Sequence, residues 1–443
     1  MRQVSPRLVA LRVLERVEHE GAFANLALDA ACTDAELSPR DAALATELTY
    51  GLLRRRNVLD RALAPFIRSG WQSLEPQVRN VLRLGAYQLL YTRIPPHAAV
   101  AETVNAAKRA GLYRVAGLVN AVLRRLAAQG PPPPLDPKAD PKAWLELEGS
   151  LPDWVAESLL DALGPEEAVA FVEAINRPAK ASLRVNVRRV GREALRRRLE
   201  EELPDATIEP SAWAPAGLLV ERGGSLPRHP AFEEGLFSLQ DEAAQLVVHL
   251  AGDVAGLRVL DCCAAPGGKS CHLAELGAKE VVAMDRNTRK VRRIEEEAAR
   301  LGLETIEAEV GDATVAMPKG KYDLVLVDAP CSALGTLRRH PEVRYRVERE
   351  DVERLAKTQT QILDRAAEAV KRGGILIYAV CTFPREDGPE QGEAFLARSP
   401  RFEPAPLEAA TPWAEEGWRL RTWPHREGMD AFFAARLRAR DGS

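Results

Sequence analysis

The sequence predicts an all-helical N-terminal domain over residues 1–130 and an α/β domain over 251–443, with a small α+β segment bridging the two. Three observations predict this. The run Gly130-Pro131-Pro132-Pro133-Pro134-Leu135-Asp136-Pro137 cannot lie inside a helix or a central strand, so 131–143 reads as a stiff linker. Before it, apolar residues recur at helical spacing; after about residue 256, short apolar runs alternate with helical segments, the pattern of a parallel sheet with helices on both faces. The chain has 443 residues, 46% hydrophobic and 28% charged, which excludes a disulfide scaffold or a disordered tail.

Taken in order, the helical domain opens with a helical pattern near 7–19. Ser38-Pro39-Arg40-Asp41 then starts a helix, with Ser38 as cap, Pro39 in the first turn and Asp41 three residues after the cap. Leu44, Leu48 and Leu52 continue its buried face, and further helical patterns run near 76–91 and 98–110. Val115, Leu118, Val119, Val122, Leu123 and Leu126 form one apolar stripe. In the bridging segment, 144–250, Trp154 to Ile175 reads as helix and Ala181 to Arg188 alternates in the period-2 manner of a strand. Arg196-Arg197-Arg198 reads as a solvated helix face between Leu195 and Leu199. The α/β domain then offers strands at Leu257–Leu260, Val281–Met284, Thr305–Val310, Tyr322–Val327 and Ile375–Val380. Most end near Asp or Cys, and in such a sheet ligands bind at the carboxyl ends of the strands.

The chemistry-bearing residues fall at those ends. Asp261-Cys262-Cys263-Ala264-Ala265-Pro266-Gly267-Gly268-Lys269-Ser270 takes a strand through a turn of small residues into a helix, which lets backbone N–H groups approach a ligand. It lacks the glycine of a phosphate-binding G-x-x-x-x-G-K-[ST] loop, which disfavours a nucleoside triphosphate site. Asp285 ends the second strand, placed for ribose hydroxyls, and Gly311-Asp312-Ala313 follows the third, with Asp312 expected near the base of a nucleoside. Asp328-Ala329-Pro330-Cys331-Ser332 ends the fourth strand and Val380-Cys381-Thr382 the fifth. Packing is the ordinary role of a cysteine, but Cys331 and Cys381 stand at ligand edges beside a carboxylate; Cys262, Cys263 and Cys271 read as structural.

Composition bounds the remaining classes. Six cysteines in a chain expected to be cytoplasmic are expected as reduced thiols, and their spacing matches no structural zinc site, so no metal is expected. The start, Met1-Arg2-Gln3 with Glu15 and Glu18 behind it, lacks a signal-peptide core, and no stretch of about 18 apolar residues predicts a membrane span. The net charge of -3 hides a division: residues 1–130 carry 18 Lys+Arg against 11 Asp+Glu, the remainder 43 against 53. A basic module is the electrostatic footprint of phosphate binding. The excess of Arg (50) over Lys (11) by itself says nothing about RNA.

Together, Asp261–Ser270, Asp328–Ser332 and Cys381 resemble the S-adenosylmethionine-dependent RNA 5-cytosine methyltransferases, over roughly 180–437, with Gly235–Ala243 similar to that family's lead-in. Tyr50–Arg54, His97–Glu102 and Val119–Arg124 resemble the NusB-type RNA-binding helical domain, and the combination resembles the RsmB (Fmu/Sun) branch, which methylates a cytosine in small-subunit ribosomal RNA. The resemblance implies a Rossmann-like catalytic domain in which Cys381 is the nucleophile, Cys331 assists product release and Asp328 bonds the polar edge of the base. It implies cofactor contacts from Cys263, Ala264, Ala265, Pro266, Gly267, Gly268, Lys269, Asp285, Asp312 and Asp328. Holding N3 of cytosine would require Asp328 to carry or share a proton, which burial favours. The family usually has Thr before the last Cys and Ser after it; here Val380 and Thr382 flank it and, on a strand, should face away from the thiol. Arg338 and Arg339, and more weakly Arg184 and Asn186, are candidate RNA phosphate contacts. The expected partner is ribosomal RNA, with the target cytosine in a loop or bulge. The protein is expected to be a monomer. Methylation of transfer RNA or another ribosomal site, and a non-enzymatic RNA-binding assembly factor, are the alternatives.

Overall fold

In the computed structural model, residues 4–407 and 413–441 are described; Met1–Gln3, the stretch 408–412 inside the expected catalytic region, and residues 442–443 lie outside them. The chain divides into two compact units, residues 1–177 with 337–346, and 178–336 with 347–443.

The first unit is all helix. Helices Pro6–His19, Ala24–Asp34, Pro39–Arg54, Pro76–Tyr91, Pro96–Arg109 and Ala116–Gln129 enclose a core that includes Leu14, Leu48, Leu52, Leu82, Val119 and Leu123. The cap at Ser38 forms as its sequence requires: its hydroxyl accepts from the Asp41 N–H at 3.2 Å and donates to the Asp41 carboxylate at 3.0 Å. The proline run forms neither helix nor strand, but it does not end the unit as the linker reading of 131–143 expected. Arg61 donates to Pro133 O at 2.7 Å and pairs with Glu148, which also accepts from Leu135 N at 3.1 Å. Helices Pro141–Leu147, Asp153–Leu163 and Pro165–Ile175 follow in the same unit, burying Leu145, Leu159, Phe171 and Val172. Gly164 (φ 75°) and Pro165 break what the 154–175 pattern read as one helix.

The 337–346 segment completes this unit. Glu342, buried, accepts from Ala24 N at 3.0 Å, and Tyr345 donates to Leu53 O at 3.1 Å. Arg344 is fully buried, its guanidinium donating to Gly149 O at 3.0 Å and Asn176 Oδ1 at 3.1 Å. With only neutral acceptors there, burial pulls its pKa down to about 10.

In the second unit, a small antiparallel sheet comes first, made of β1 (Ala181–Val185), β2 (Thr207–Pro210), β3 (Gly217–Glu221) and β4 (Phe237–Leu239) in the order β2-β3-β1-β4. Helix Arg192–Glu202 buries Leu195 and Leu199 against its core and leaves its charged face to solvent. The larger sheet has parallel strands β5 (Arg258–Asp261), β6 (Glu280–Asp285), β7 (Ile306–Val310), β8 (Tyr322–Asp328) and β9 (Val370–Val380), in the order β7-β6-β5-β8-β9. Leu324 and Leu326 enter one core, with Leu246, Leu273 and Leu301; Val325 and Val327 enter another, with Ile362, Leu363 and Phe395. That alternation along β8 places helices Glu242–His249, Gly268–Glu275 and Thr288–Leu301 on one face and Arg349–Ala369 and Pro389–Arg398 on the other.

The sheet is mixed rather than parallel throughout. β10 (Phe402–Pro404), β11 (Ala414–Glu415), β12 (Arg419–Thr422) and β13 (Phe432–Ala439) add antiparallel pairings, with β13 against β9 from Phe433↔Val380 to Arg438↔Ile375. Among the described residues the sheet has nine strands, and β13 removes the open edge β9 would otherwise present.

Candidate active site

The strand order reverses at β5, which lies between β6 and β8; this is where a doubly wound sheet opens a crevice at its carboxyl ends. A cavity of about 280 Å³ lies there, lined by residues following all five parallel strands: Cys262, Cys263 and Ala265; Asp285 and Arg286; Gly311 to Thr314; Asp328 to Cys331; and Cys381.

The loop after β5 is shaped by glycine. Gly267 caps helix Gly268–Glu275 at φ 105°, and a Cβ there would lie 3.3 Å from Ile294 Cα, so both conformation and space select glycine. Ala264 N donates to Met284 O at 2.9 Å, tying this loop to β6. Asp261 is fully buried and accepts from Ser270 Oγ at 2.7 Å; burial pushes its pKa up to about 7, although the Ser270 and Cys263 hydrogen bonds oppose the shift. Cys263, Ala265, Asp285, Asp312, Asp328, Cys331 and Cys381 line the cavity; Ala264, Pro266, Gly267, Gly268 and Lys269 build the loop and helix start behind it. Asp285 Oδ1 accepts from Asn287 N at 2.9 Å. Asp312 Oδ1 accepts from Thr314 Oγ1 at 2.6 Å and N at 2.9 Å, which holds its pKa below the usual carboxylate range.

Asp328 has a cationic partner and is partly exposed. Its Oδ2 lies 2.6 Å from Lys269 Nζ, and 28% of its side chain is exposed. Burial works against the Lys269 charge, but Asp328 outweighs it, and the ammonium pKa is raised. Cys331 Sγ and Cys381 Sγ stand 3.5 Å apart, and none of the six cysteines is in a disulfide. The hydrogen bond to Cys381, reinforced by burial, pushes the Cys331 pKa well up, which keeps it a neutral thiol. Among the described residues, no group of three or more His, Cys, Asp or Glu side chains could hold a metal ion, and no helix is long and apolar enough to cross a membrane.

Two expected RNA contacts are corrected. Arg184 is fully buried in a bidentate pair with Glu275, both bonds 2.8 Å, and donates also to Gln240 and to Gly268 O. Asn186 is fully buried and donates to Gly235 O at 3.0 Å and Leu301 O at 3.1 Å. Both brace the fold and are closed to a phosphate. Arg338 and Arg339 are partly exposed, within the 337–346 segment of the helical unit.

The sequence reading assigned no role to Gly335, Ser332 or Asp387, and took Thr382 only as a flank of the nucleophile. Gly335 N donates to Cys381 O at 3.0 Å, and a Cβ there would lie 1.9 Å from Ala431 O. The Thr382 hydroxyl meets Ser332 Oγ at 2.5 Å. The adjacency of Ser332 and Thr382 to the two cysteines was a usable signal; Asp387, in the polar run Arg385-Glu386-Asp387, gave none.

A doubly wound sheet whose strand ends carry a small-residue turn, carboxylates after β6 and β7 and a carboxylate beside two thiols defines a Rossmann-like methyltransferase domain that uses S-adenosylmethionine. The comparisons carry this further. Residues 251–438 match the 16S rRNA methyltransferase RsmB/F family, residues 4–128 the NusB family, and residues 151–226 the ferredoxin-like domain of the RsmF/B-like methyltransferases. A Bacillus subtilis protein described as a probable ribosomal RNA small subunit methyltransferase B is 37% identical, covering 99% of each chain. The ribosomal RNA small subunit methyltransferase B of Thermus thermophilus is 39% identical over 99% of this chain and 98% of its own. The solved structure of PH0851 aligns with a TM-score of 0.82 at 25% identity, over 98% of this chain and 99% of the other. The chain belongs to the ribosomal RNA small subunit methyltransferase B family.

Proposed function

We propose that this protein methylates C5 of a cytosine in small-subunit ribosomal RNA through a covalent bond between Cys381 Sγ and C6. The observation that carries this reading is the pair of thiols, 3.5 Å apart, on a cavity shared with Asp285, Asp312 and Asp328. Asp285 and Asp312 suit the hydroxyl and amino donors of S-adenosylmethionine, and small-residue backbone forms the wall between them; when bound, that cofactor supplies an electrophilic methyl group.

The residues of the chain divide the remaining work. C5 of a neutral aromatic cytosine is a poor nucleophile. Addition of the Cys381 thiolate at C6 breaks the C5=C6 bond and moves its electron pair to C5, which can then take the methyl. Asp328 accepts from the exocyclic amine, and the Lys269 ammonium, 2.6 Å away, holds that carboxylate in place. Release requires transfer of the C5 proton to a solvent base, return of that C–H electron pair to form C5=C6, and departure of Cys381 as thiolate; Cys331, as a neutral thiol, assists by offering a hydrogen bond to the departing sulfur. Thiols recessed in a crevice reach only an unstacked base, which favours a loop or bulge cytosine. Arg338 and Arg339, with the basic helical domain, are proposed to hold the RNA backbone.

Purified protein incubated with ribosomal RNA and S-adenosylmethionine, followed by bisulfite mapping, should show one protected cytosine. Cys381→Ala should abolish it. Cys331→Ala should accumulate a denaturation-resistant protein–RNA adduct, absent from the double variant. Absence of 5-methylcytosine with the wild type, or full activity in Cys381→Ala, overturns the reading; protection in transfer RNA alone moves the substrate.

A further inference from the structure

Behind the two thiols lies a buried polar group that the proposed chemistry does not use. Asp387, in the turn after β9, is fully buried; its Oδ2 accepts from Ser332 N at 2.8 Å, while Oδ1 is buried with no hydrogen-bond partner. Ser332 Oγ in turn meets Thr382 Oγ1 at 2.5 Å. Ser332 directly follows Cys331 and Thr382 directly follows Cys381, so this chain of bonds ties the residue after one thiol to the residue after the other. The far side of Cys331 is held as well: Gln359 Nε2 donates to Pro330 O at 3.0 Å and to Asp387 O at 3.3 Å, and Tyr378 donates to Gln359 Oε1 at 3.0 Å. None of Asp387, Ser332, Thr382, Gln359 or Tyr378 lines the cavity.

A buried carboxylate with one unpartnered oxygen is costly to keep. Simple packing would be served better by an apolar side chain of the same size. What the carboxylate does here is hold a backbone N–H of a loop that has no sheet or helix to fix it.

We propose that Asp387 is a positioning residue that, through Ser332 and Thr382, sets the separation of Cys331 and Cys381 and so governs release of the methylated base rather than attack on it. The second half rests on the two-thiol chemistry proposed above; the first does not. Loss of the clamp frees the Cys331 loop, so Cys381 still adds to C6 while its departure slows.

The test uses the full-length protein and phenylarsine oxide, which forms two As–S bonds to closely spaced thiols, its oxygen leaving as water with the two thiol protons. Wild type should bind it, and the Cys331→Ala/Cys381→Ala variant sets the background from the other cysteines. Asp387→Ala should bind at least tenfold more weakly; Asp387→Asn, which keeps an acceptor for Ser332 N, should recover most of that loss. Thr382→Val provides an almost isosteric break in the same clamp should Asp387→Ala fold poorly. With RNA and S-adenosylmethionine, Asp387→Ala and Thr382→Val should accumulate the denaturation-resistant adduct while Asp387→Asn does not. Unchanged arsenical binding in Asp387→Ala or Thr382→Val overturns the clamp, whatever the catalytic outcome. Weakened binding with turnover and adduct levels equal to wild type overturns the role in release. Weakened binding together with no methylation by wild type upholds the clamp and refutes the catalytic reading instead.

Discussion

Replacing Arg184 by methionine separates two physical roles for one residue. In the structure its guanidinium is fully buried, bidentate to Glu275 and bonded to Gly268 O at 2.7 Å. Methionine retains much of the stem volume but leaves the Glu275 carboxylate buried without its cation. Breaking a buried pair from one side costs about 3–5 kcal/mol, which lowers the melting temperature of a unit this size by roughly 10 °C. Burial already pushes the Glu275 pKa up despite Arg184. Without the arginine the carboxyl takes a proton more readily, so the deficit should be smallest near pH 5 and grow towards pH 8. Arg184→Met/Glu275→Leu removes both charges and should recover to within about 1 kcal/mol of wild type. The assay is thermal unfolding of the three proteins, with RNA affinity measured against salt. Arg184→Met should leave the salt slope unchanged, whereas a lost phosphate contact lowers it by about 0.7–0.9. Unfolding within about 1 kcal/mol of wild type together with a reduced slope would falsify the bracing role and restore the phosphate role.

Two further outcomes follow from the same site. Burial raises Asp261 to about 7, above its unfolded value, so folding takes up a proton: stability is full below about pH 4 and declines as pH rises through 7, by roughly 4 kcal/mol in all. Asp261→Asn should flatten the stability profile between pH 5 and pH 8, and parallel profiles in urea titrations would contradict the assigned shift. Gly335→Ala should abolish methyl transfer and destabilise by about 1–3 kcal/mol, because its Cβ would meet backbone, Ala431 O at 1.9 Å and Cys381 O at 2.8 Å; a variant with wild-type melting and turnover counts against that packing.

What could be read from the sequence was what local chemistry decides. The cap at Ser38, the helix at 76–91 and the strand-end positions of Asp261, Asp285, Asp328 and Cys381 depend on neighbours in the chain, and they form as expected. Arg184 shows where that stops. The alternation in β1 correctly put Ser182 and Arg184 on one face and Leu183 and Val185 on the other, but a period of two names a face without naming what covers it. Here the polar face meets Gln240 and helix Gly268–Glu275, so the polar residues became buried partners rather than solvent contacts. The antiparallel strands β10 to β13 and the placement of Leu337–Arg346 were hidden for the same reason. Their partners lie far along the chain, and nothing near Arg344 announces that its guanidinium will be enclosed by Gly149 O and Asn176.

The 337–346 segment also has a consequence for biosynthesis. Its unit is otherwise complete by residue 177, yet its last piece is made about 170 residues later. At usual ribosomal speeds that is a wait of roughly 10–30 s, during which Gly149 O, Asn176 Oδ1 and Leu53 O face water instead of Arg344 and Tyr345. The first domain off the ribosome therefore waits for a late-made piece, and a nascent chain stalled before residue 337 should expose a helical unit more open to protease than the same residues in the released protein.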